Sequence, residues 1–229
     1  MSNEAIFAII MVIDLTLVLF VTKFGKEWLK VMIVANLFMT QLSAVKNVEI
    51  FGFVANGSAV FYASIFLATD IITEHWGRKE GHLSVWKGFL AVVFMVVTGN
   101  LLRMLVPIES TAVTQSFDIL FGFVPRITIA SLFAYIIAQN FDIWLYHFIR
   151  KKTNGKFLWL RNNGSTLLSQ FLDSFLFFGI AFYGLVPSVW SLILTGYFAK
   201  LIVALFDTPF LYLSYKILNK PIQNSEKLS

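Results

Sequence analysis

Seven ionisable residues stand inside stretches that are otherwise apolar: Asp14, Asp70, Glu74, Arg126, Asp173, Lys200 and Asp207. A charge in lipid surroundings costs about 2.5–3.5 kcal/mol on insertion scales and marks a functional site by default. Spacing groups these residues. Asp70 and Glu74 are four apart, so a helix projects both carboxylates from one face. Gln170 and Asp173 are three apart and share a face in the same way. Tyr197, Lys200 and Asp207 return to one stripe at steps of three and seven. Carboxylates accept hydrogen bonds, a lysine donates them and a glutamine does both, which is the equipment for holding a polar ligand. Lys200 neutralising Asp173 would explain one pair as bundle glue, but a bundle needs no more than one. Asp14 has no polar neighbour at helical spacing. Arg126 follows Pro125, where it either binds or snorkels to the interface, and Asn140 returns to its face four turns later.

Catalysis finds little material. The chain has no cysteine, three histidines and no His-x-x-x-His or Glu-x-x-His spacing. A thiol nucleophile, a thiolate site and a metal centre are therefore not expected, and neither is a cofactor. An aspartyl pair drawn from Asp70 with Asp173 or Asp207 is conceivable, yet no motif supports that chemistry. The chain is not expected to be an enzyme.

Composition says what must position these residues. Of 229 residues, 58% are hydrophobic, 17% aromatic and 14% charged, against about 45–50% apolar and about 25% charged in soluble domains. One soluble core of this size could not hide so much apolar surface, whereas a bundle in lipid has an outer face that should be apolar. The sequence reads as an all-α integral membrane protein, a polytopic helix bundle. Windows of about 20 apolar residues give about seven spans: 5–22, 29–46, 57–75, 84–106, 119–148, 165–186 and 188–217. The last-named span and 119–148 are overlong, and each contains a proline, Pro209 and Pro125 respectively. One transmembrane domain over 1–222 and a polar tail over 223–229 account for the chain.

Charge orients it. With the N-terminus outside and the C-terminus inside, 14 lysines and arginines fall in inner segments and only Lys46 and Arg103 in outer ones, as the positive-inside rule requires. Trp28, Trp76, Trp86, Trp144 and Trp159 stand at inner span ends like an aromatic belt. Lys23 and Lys26 follow the first apolar stretch rather than precede it, so that stretch reads as a retained helix and not a signal peptide. The net charge of +5 and the run RKKTNGK (150–156) suit anionic lipid better than nucleic acid. In NNGST (162–166), Asn163 or Ser165 reads as a helix N-cap with Arg161 just outside, and such a helix start can also receive an anionic or carbonyl group. His75 and His82 flank the WGRKEG turn and read as solvated.

These residues resemble the queuosine precursor transporter family of small inner-membrane proteins. The resemblance rests on FGFVANGSAVFYASIFLATDIITEHWGRKEG (51–81), PRITIASLFAYIIAQNFD (125–142), LWLRNNGSTLLSQFLDSFLFFGIAFYG (158–184) and YFAKLIVALFDTPFLY (197–212). Its most specific element is T-D-x-x-x-E-x-x-G, here Thr69, Asp70, Glu74 and Gly77. Arg161, Asn162, Ser165, Thr166, Gln170 and Asp173 form a second element, and Lys200, Asp207 and Pro209 a third. The N-terminal 45 residues match weakly.

The resemblance implies import of 7-cyano- or 7-aminomethyl-7-deazaguanine across the inner (plasma) membrane, for modification of tRNA. It also implies similarity to the six-helix substrate-binding subunits of energy-coupling-factor vitamin importers, with the seventh helix an addition. A guanine-like edge offers adjacent donors and one carbonyl acceptor. Asp70 or Asp173 would read the donors, with Glu74 as neighbour or charge carrier. Lys200 and Gln170 would donate to the carbonyl, with Asp207 holding Lys200. Arg161, Asn162, Arg126, Asn140 and Tyr197 complete the expected substrate-binding set, in a cavity between spans three, six and seven. The expected partners are the small-molecule substrate and the lipid bilayer, with a homodimer compatible with the sequence. The rival within transport is a binding subunit that depends on an ATPase. Its small-residue face is poor here, with only Ala5 and Ala8 on the first helix.

Overall fold

The protein is described by a computed structural model over residues 1–43, 46–50, 53–122, 125–184, 188–205 and 208–219. In chain order these form α1 (Asn3–Thr22), α2 (Lys26–Ser43), β1 (Asn47–Ile50), β2 (Phe53–Asn56), α3 (Ala59–Trp76), α4 (Arg78–Leu102), α5 (Ala112–Gly122), α6 (Pro125–Lys152), α7 (Leu158–Phe182), α8 (Val189–Leu205) and α9 (Thr208–Ile217).

Each helix shows by its burial pattern what it faces. On α1, Met11, Asp14, Leu15, Val18, Leu19 and Thr22 are buried, a stripe at the helical repeat. Between them Ile9, Val12, Ile13, Leu17 and Phe20 are exposed, an apolar outer face that only lipid accepts. Among the described residues α1, α4, α6 and α7 are long and apolar enough to cross a bilayer. By contrast, α3 carries Asp70, Glu74 and His75, and every residue from Ala63 to His75 is buried. It is the enclosed post against which α1, α2, α4, α6, α8 and α9 pack.

Reversals are tight where glycine allows them. Gly25 and Gly77 take φ of 97° and 91°, a region that costs glycine little. At Gly77 the N–H caps α3 through the Thr73 carbonyl at 3.1 Å, and the carbonyl accepts the Gly81 N–H of α4 at 3.2 Å. Ion pairs tie these two turns together. Lys30 Nζ donates to Glu27 at 2.6 Å and to Glu80 at 2.7 Å, while Lys26 pairs with Glu80 at 2.8 Å.

Several sequence expectations change here. Around the prolines of the two overlong spans, Pro125 is the first described residue of α6 and Pro209 lies in the first described turn of α9, while residues 123–124 and 206–207 lie outside the described residues. Proline lacks the N–H that a helix interior needs but fits its first turn. The segment expected only as a connection between spans two and three holds an antiparallel hairpin pairing Asn47 with Asn56 and Ile50 with Phe53. Its Val, Ile and Phe content suits strands, and Asn3 Nδ2 donates to the Glu49 carbonyl at 3.1 Å, joining the start of α1 to it. Finally, α7 starts at Leu158, not after an Asn163 or Ser165 cap. Phe157 instead takes φ 56° ahead of it, and Arg161 and Ser165 lie within the helix, fully buried.

Gly88 lets α2, α4 and α6 close on one another. A Cβ there would stand 2.6 Å from both Leu37 Cδ1 and Tyr135 Oη. Gly88→Leu should therefore destabilise the bundle by about 1–3 kcal/mol, read as a lower melting temperature of the purified protein in detergent. A melt at or above wild type would mean that the three helices are not held together at this point.

Candidate functional site

Polar side chains from α3, α6, α7 and α8 meet in layers. Two registers align them. Asp70 faces Asp142 and Glu74 meets Tyr146, a constant offset of 72 residues between the parallel helices α3 and α6. The antiparallel helix α7 is fixed by Ser169 Oγ, which donates to Asp142 Oδ1 at 2.8 Å.

The first layer lies where α3 ends and α7 begins. Arg161 presents a fork to Glu74, with Nη2 to Oε1 at 2.7 Å and Nε to Oε2 at 3.2 Å. Tyr146 donates to Oε2 at 2.7 Å and Tyr215 of α9 donates to Oε1. Arg150 stands 3.7 Å from the same carboxylate. Arg161 Nη1 donates to the Gly155 carbonyl at 2.7 Å. The guanidinium is completely buried, and its donors are committed to the protein. Glu74 and Arg161 thus form a clasp joining α3, α6, α7 and α9, a bidentate geometry that only arginine supplies.

One turn along comes the second layer: Asp70, Asp142, Ser165 and Ser169, all buried. Two carboxyl groups and two hydroxyls make this region rich in acceptors. Gln139, Thr166 and Gln170 are buried beside it on the same two helices. Among the described residues, Gln139 makes no hydrogen bond through either amide atom, and neither Gln170 Oε1, Thr166 Oγ1 nor Asp142 Oδ2 makes one. Each such group costs about 1–3 kcal/mol when left unmade, a demand that ordered water or a polar ligand can meet.

In the third layer Lys200 of α8 donates to Asp173 Oδ2 of α7. The ammonium also lies 4.6 Å from the centre of the Tyr62 ring of α3, a cation–π contact. Tyr197, three residues before Lys200, stands edge-on against Phe171 at 5.5 Å. The region is closed: Asp70, Asp142 and Asp173 are all under 5% exposed.

The expected site residues divide accordingly. Glu74 and Arg161 meet in the first layer, Asp70 stands in the second and Asp173 pairs with Lys200 in the third, while Gln170 is buried on α7 between Arg161 and Asp173. Asn162 belongs to the α9 side, where Nδ2 donates to Thr208 Oγ1 at 3.0 Å. Asn140 does not join these layers: it pairs with His82 of α4 and donates to the Ile136 carbonyl at 2.7 Å. Asp207 and the side chain of Arg126 lie outside the described residues. Asp14 lies apart, buried near Ser64 and Asn36. His75, expected in solvent, is buried and bonds Ser214 at 2.8 Å through Nε2, because α9 folds back over the end of α3. Sequence reading missed Gln139 and Asp142. Their signal was the face Tyr135, Gln139, Asp142 and Tyr146, which recurs at helical spacing along α6.

Comparison with known proteins gives the family. The model of the putative vitamin uptake transporter family matches residues 56–214. A probable queuosine precursor transporter of Bacillus subtilis (strain 168) is 34% identical over 233 residues, covering all of both chains. A probable queuosine precursor transporter of Haemophilus influenzae is 26% identical over 62% of this chain and 58% of its own. The queuosine precursor transporter of Escherichia coli (strain K12) is 26% identical over 59% of each. No solved structure matches. A family match over most of the chain, an end-to-end relative and lipid-length apolar helices lead to one conclusion: the chain belongs to the putative vitamin uptake transporter family and is a multi-pass membrane transporter, not an enzyme.

Proposed function

We propose that this chain imports a 7-deazaguanine precursor of queuosine, such as its 7-cyano or 7-aminomethyl form, across the inner membrane. The ligand sits between α3, α6, α7 and α8, in the reading that combines the relatives' names with the polar layers. The observation that carries it is the second layer, where two carboxyl groups lie beside buried amide and hydroxyl groups that have no partner of their own. A donor-rich heterocycle edge supplies what that layer lacks. The chain crosses the membrane seven times in this reading, with α5–α6 and α8–α9 each counted as one crossing. The basic residues support an N-terminus outside and a C-terminus inside.

Purified protein reconstituted in liposomes should accumulate labelled 7-cyano- or 7-aminomethyl-7-deazaguanine with no other protein present. Uptake that appears only when an ATPase complex is added would make the chain a dependent binding subunit. No binding of any deazapurine would remove the substrate assignment itself.

A further inference from the structure

We infer that Gln139 and Asp142, one turn apart on α6, read the hydrogen-bonding edge of the transported heterocycle, with the amide on its cyclic carbonyl and the carboxylate on its amine. This rests on the transport reading above and names the residues that do the reading. Gln139 is 1% exposed and makes no hydrogen bond among the described residues; Asp142 is fully buried, with Oδ1 accepting from Ser169 and its carboxyl facing Asp70 and Ser165.

Their aim follows from their neighbours on the same face. Tyr135 donates to the Val85 carbonyl of α4, Asp142 accepts from α7, and Tyr146 donates to Glu74 of α3. Gln139 stands between these on the inward stripe. One turn back along α6 from Asp142, and one turn on along the antiparallel α7 from Ser169, reach the same level. Gln139 is therefore level with Asp173, whose carboxylate already accepts from Lys200. Among the described residues, unbonded polar atoms near this level include the Ser174 hydroxyl and the Gln139 amide, and the amide offers a donor and an acceptor side by side.

That pair is the complement of a cyclic amide, whose carbonyl takes the Nε2–H while its ring N–H meets Oε1. Side chains three apart on a helix stand about 5–6 Å apart at Cβ, close enough for both to address one fused ring. Asp142 Oδ2, with Asp70 beside it, then accepts from an exocyclic amine on the neighbouring carbon. The ligand class so defined is a fused heterocycle with a 2-amino-4-oxopyrimidine ring.

The test is a binding panel on the purified full chain with three probes: 7-cyano-7-deazaguanine, its analogue lacking the exocyclic amine, and its analogue lacking the carbonyl. Wild type should bind the first about 10- to 100-fold more tightly than either analogue. Gln139→Met, similar in shape but without the amide, should weaken the first probe by a similar factor and bind the carbonyl-free analogue as well as wild type does. Asp142→Asn should lose its preference for the amine. Variants that bind all three probes within threefold of wild type, in the same order, overturn the inference while leaving the transport reading intact. If wild type binds none of the probes, the transport reading fails and this inference with it. If the variants do not fold, the wild-type ranking decides: a carbonyl-free analogue bound as tightly as the parent overturns the inference.

Discussion

Arg161→Ala lowers the stability of the bundle by about 3–5 kcal/mol, because it leaves Glu74 charged, buried and without its fork partner. Glu74 is 3% exposed, and the other groups on it are two tyrosine hydroxyls and the more distant Arg150. Thermal unfolding of detergent-purified protein reads this directly, and the yield of membrane-inserted chain should fall with it. Arg161→Lys should recover only part, since an ammonium cannot occupy both carboxylate oxygens and the Gly155 carbonyl in one plane. The double variant Glu74→Gln with Arg161→Met should be more stable than Arg161→Ala, because it removes the uncompensated charge along with its partner. If Arg161→Ala melts within 1 kcal/mol of wild type, the clasp is not what joins these four helices.

The second large effect concerns the Asp173–Lys200 pair. Lys200→Met and Asp173→Asn should each reduce uptake by about 10- to 150-fold, the equivalent of losing one charge-assisted hydrogen bond. Two roles for the pair predict different double variants. If the pair only neutralises charge, Asp173→Asn combined with Lys200→Met restores uptake, since neither member is left unmatched. If it handles the ligand, the double variant reaches the membrane in normal amount and still does not transport. The second outcome is expected. Lys200 keeps 12% side-chain exposure where Arg161 has none, and Tyr62 offers it an aromatic face rather than further carboxylates. Uptake at wild-type level in either single variant, with equal expression, would place the ligand elsewhere.

Much of this was legible in the chain itself. The membrane class, and the four described helices long and apolar enough to cross a bilayer, follow from composition and from runs that lipid alone accommodates. The polar layers on α3, α7 and α8 follow from helical phase, which aligned Asp70 with Glu74 and Gln170 with Asp173. What was not legible shares one cause: partners far apart in sequence. Arg161 reads as a loop residue because NNGST looks like a cap. It is a buried helical residue because Glu74, 87 positions earlier, neutralises it. His75 reads as solvated because nothing local predicts that α9 returns over it. Asp142 is near a run of basic and aromatic residues that resembles an interface, and only its alignment with Asp70 and Ser169 shows it to be central.

The clasp also bears on how the chain is put into the bilayer. A ribosome delivers Glu74 first, 87 residues before Arg161 and 141 residues before Tyr215, which complete the same cluster. For that interval a half-made protein holds an acid without its main counter-ion, which should make it a target for quality-control proteolysis. Nascent chains halted before residue 157 should therefore be short-lived, and those extended through α9 long-lived. A single arginine would then report to the cell that synthesis has passed the point of safe release.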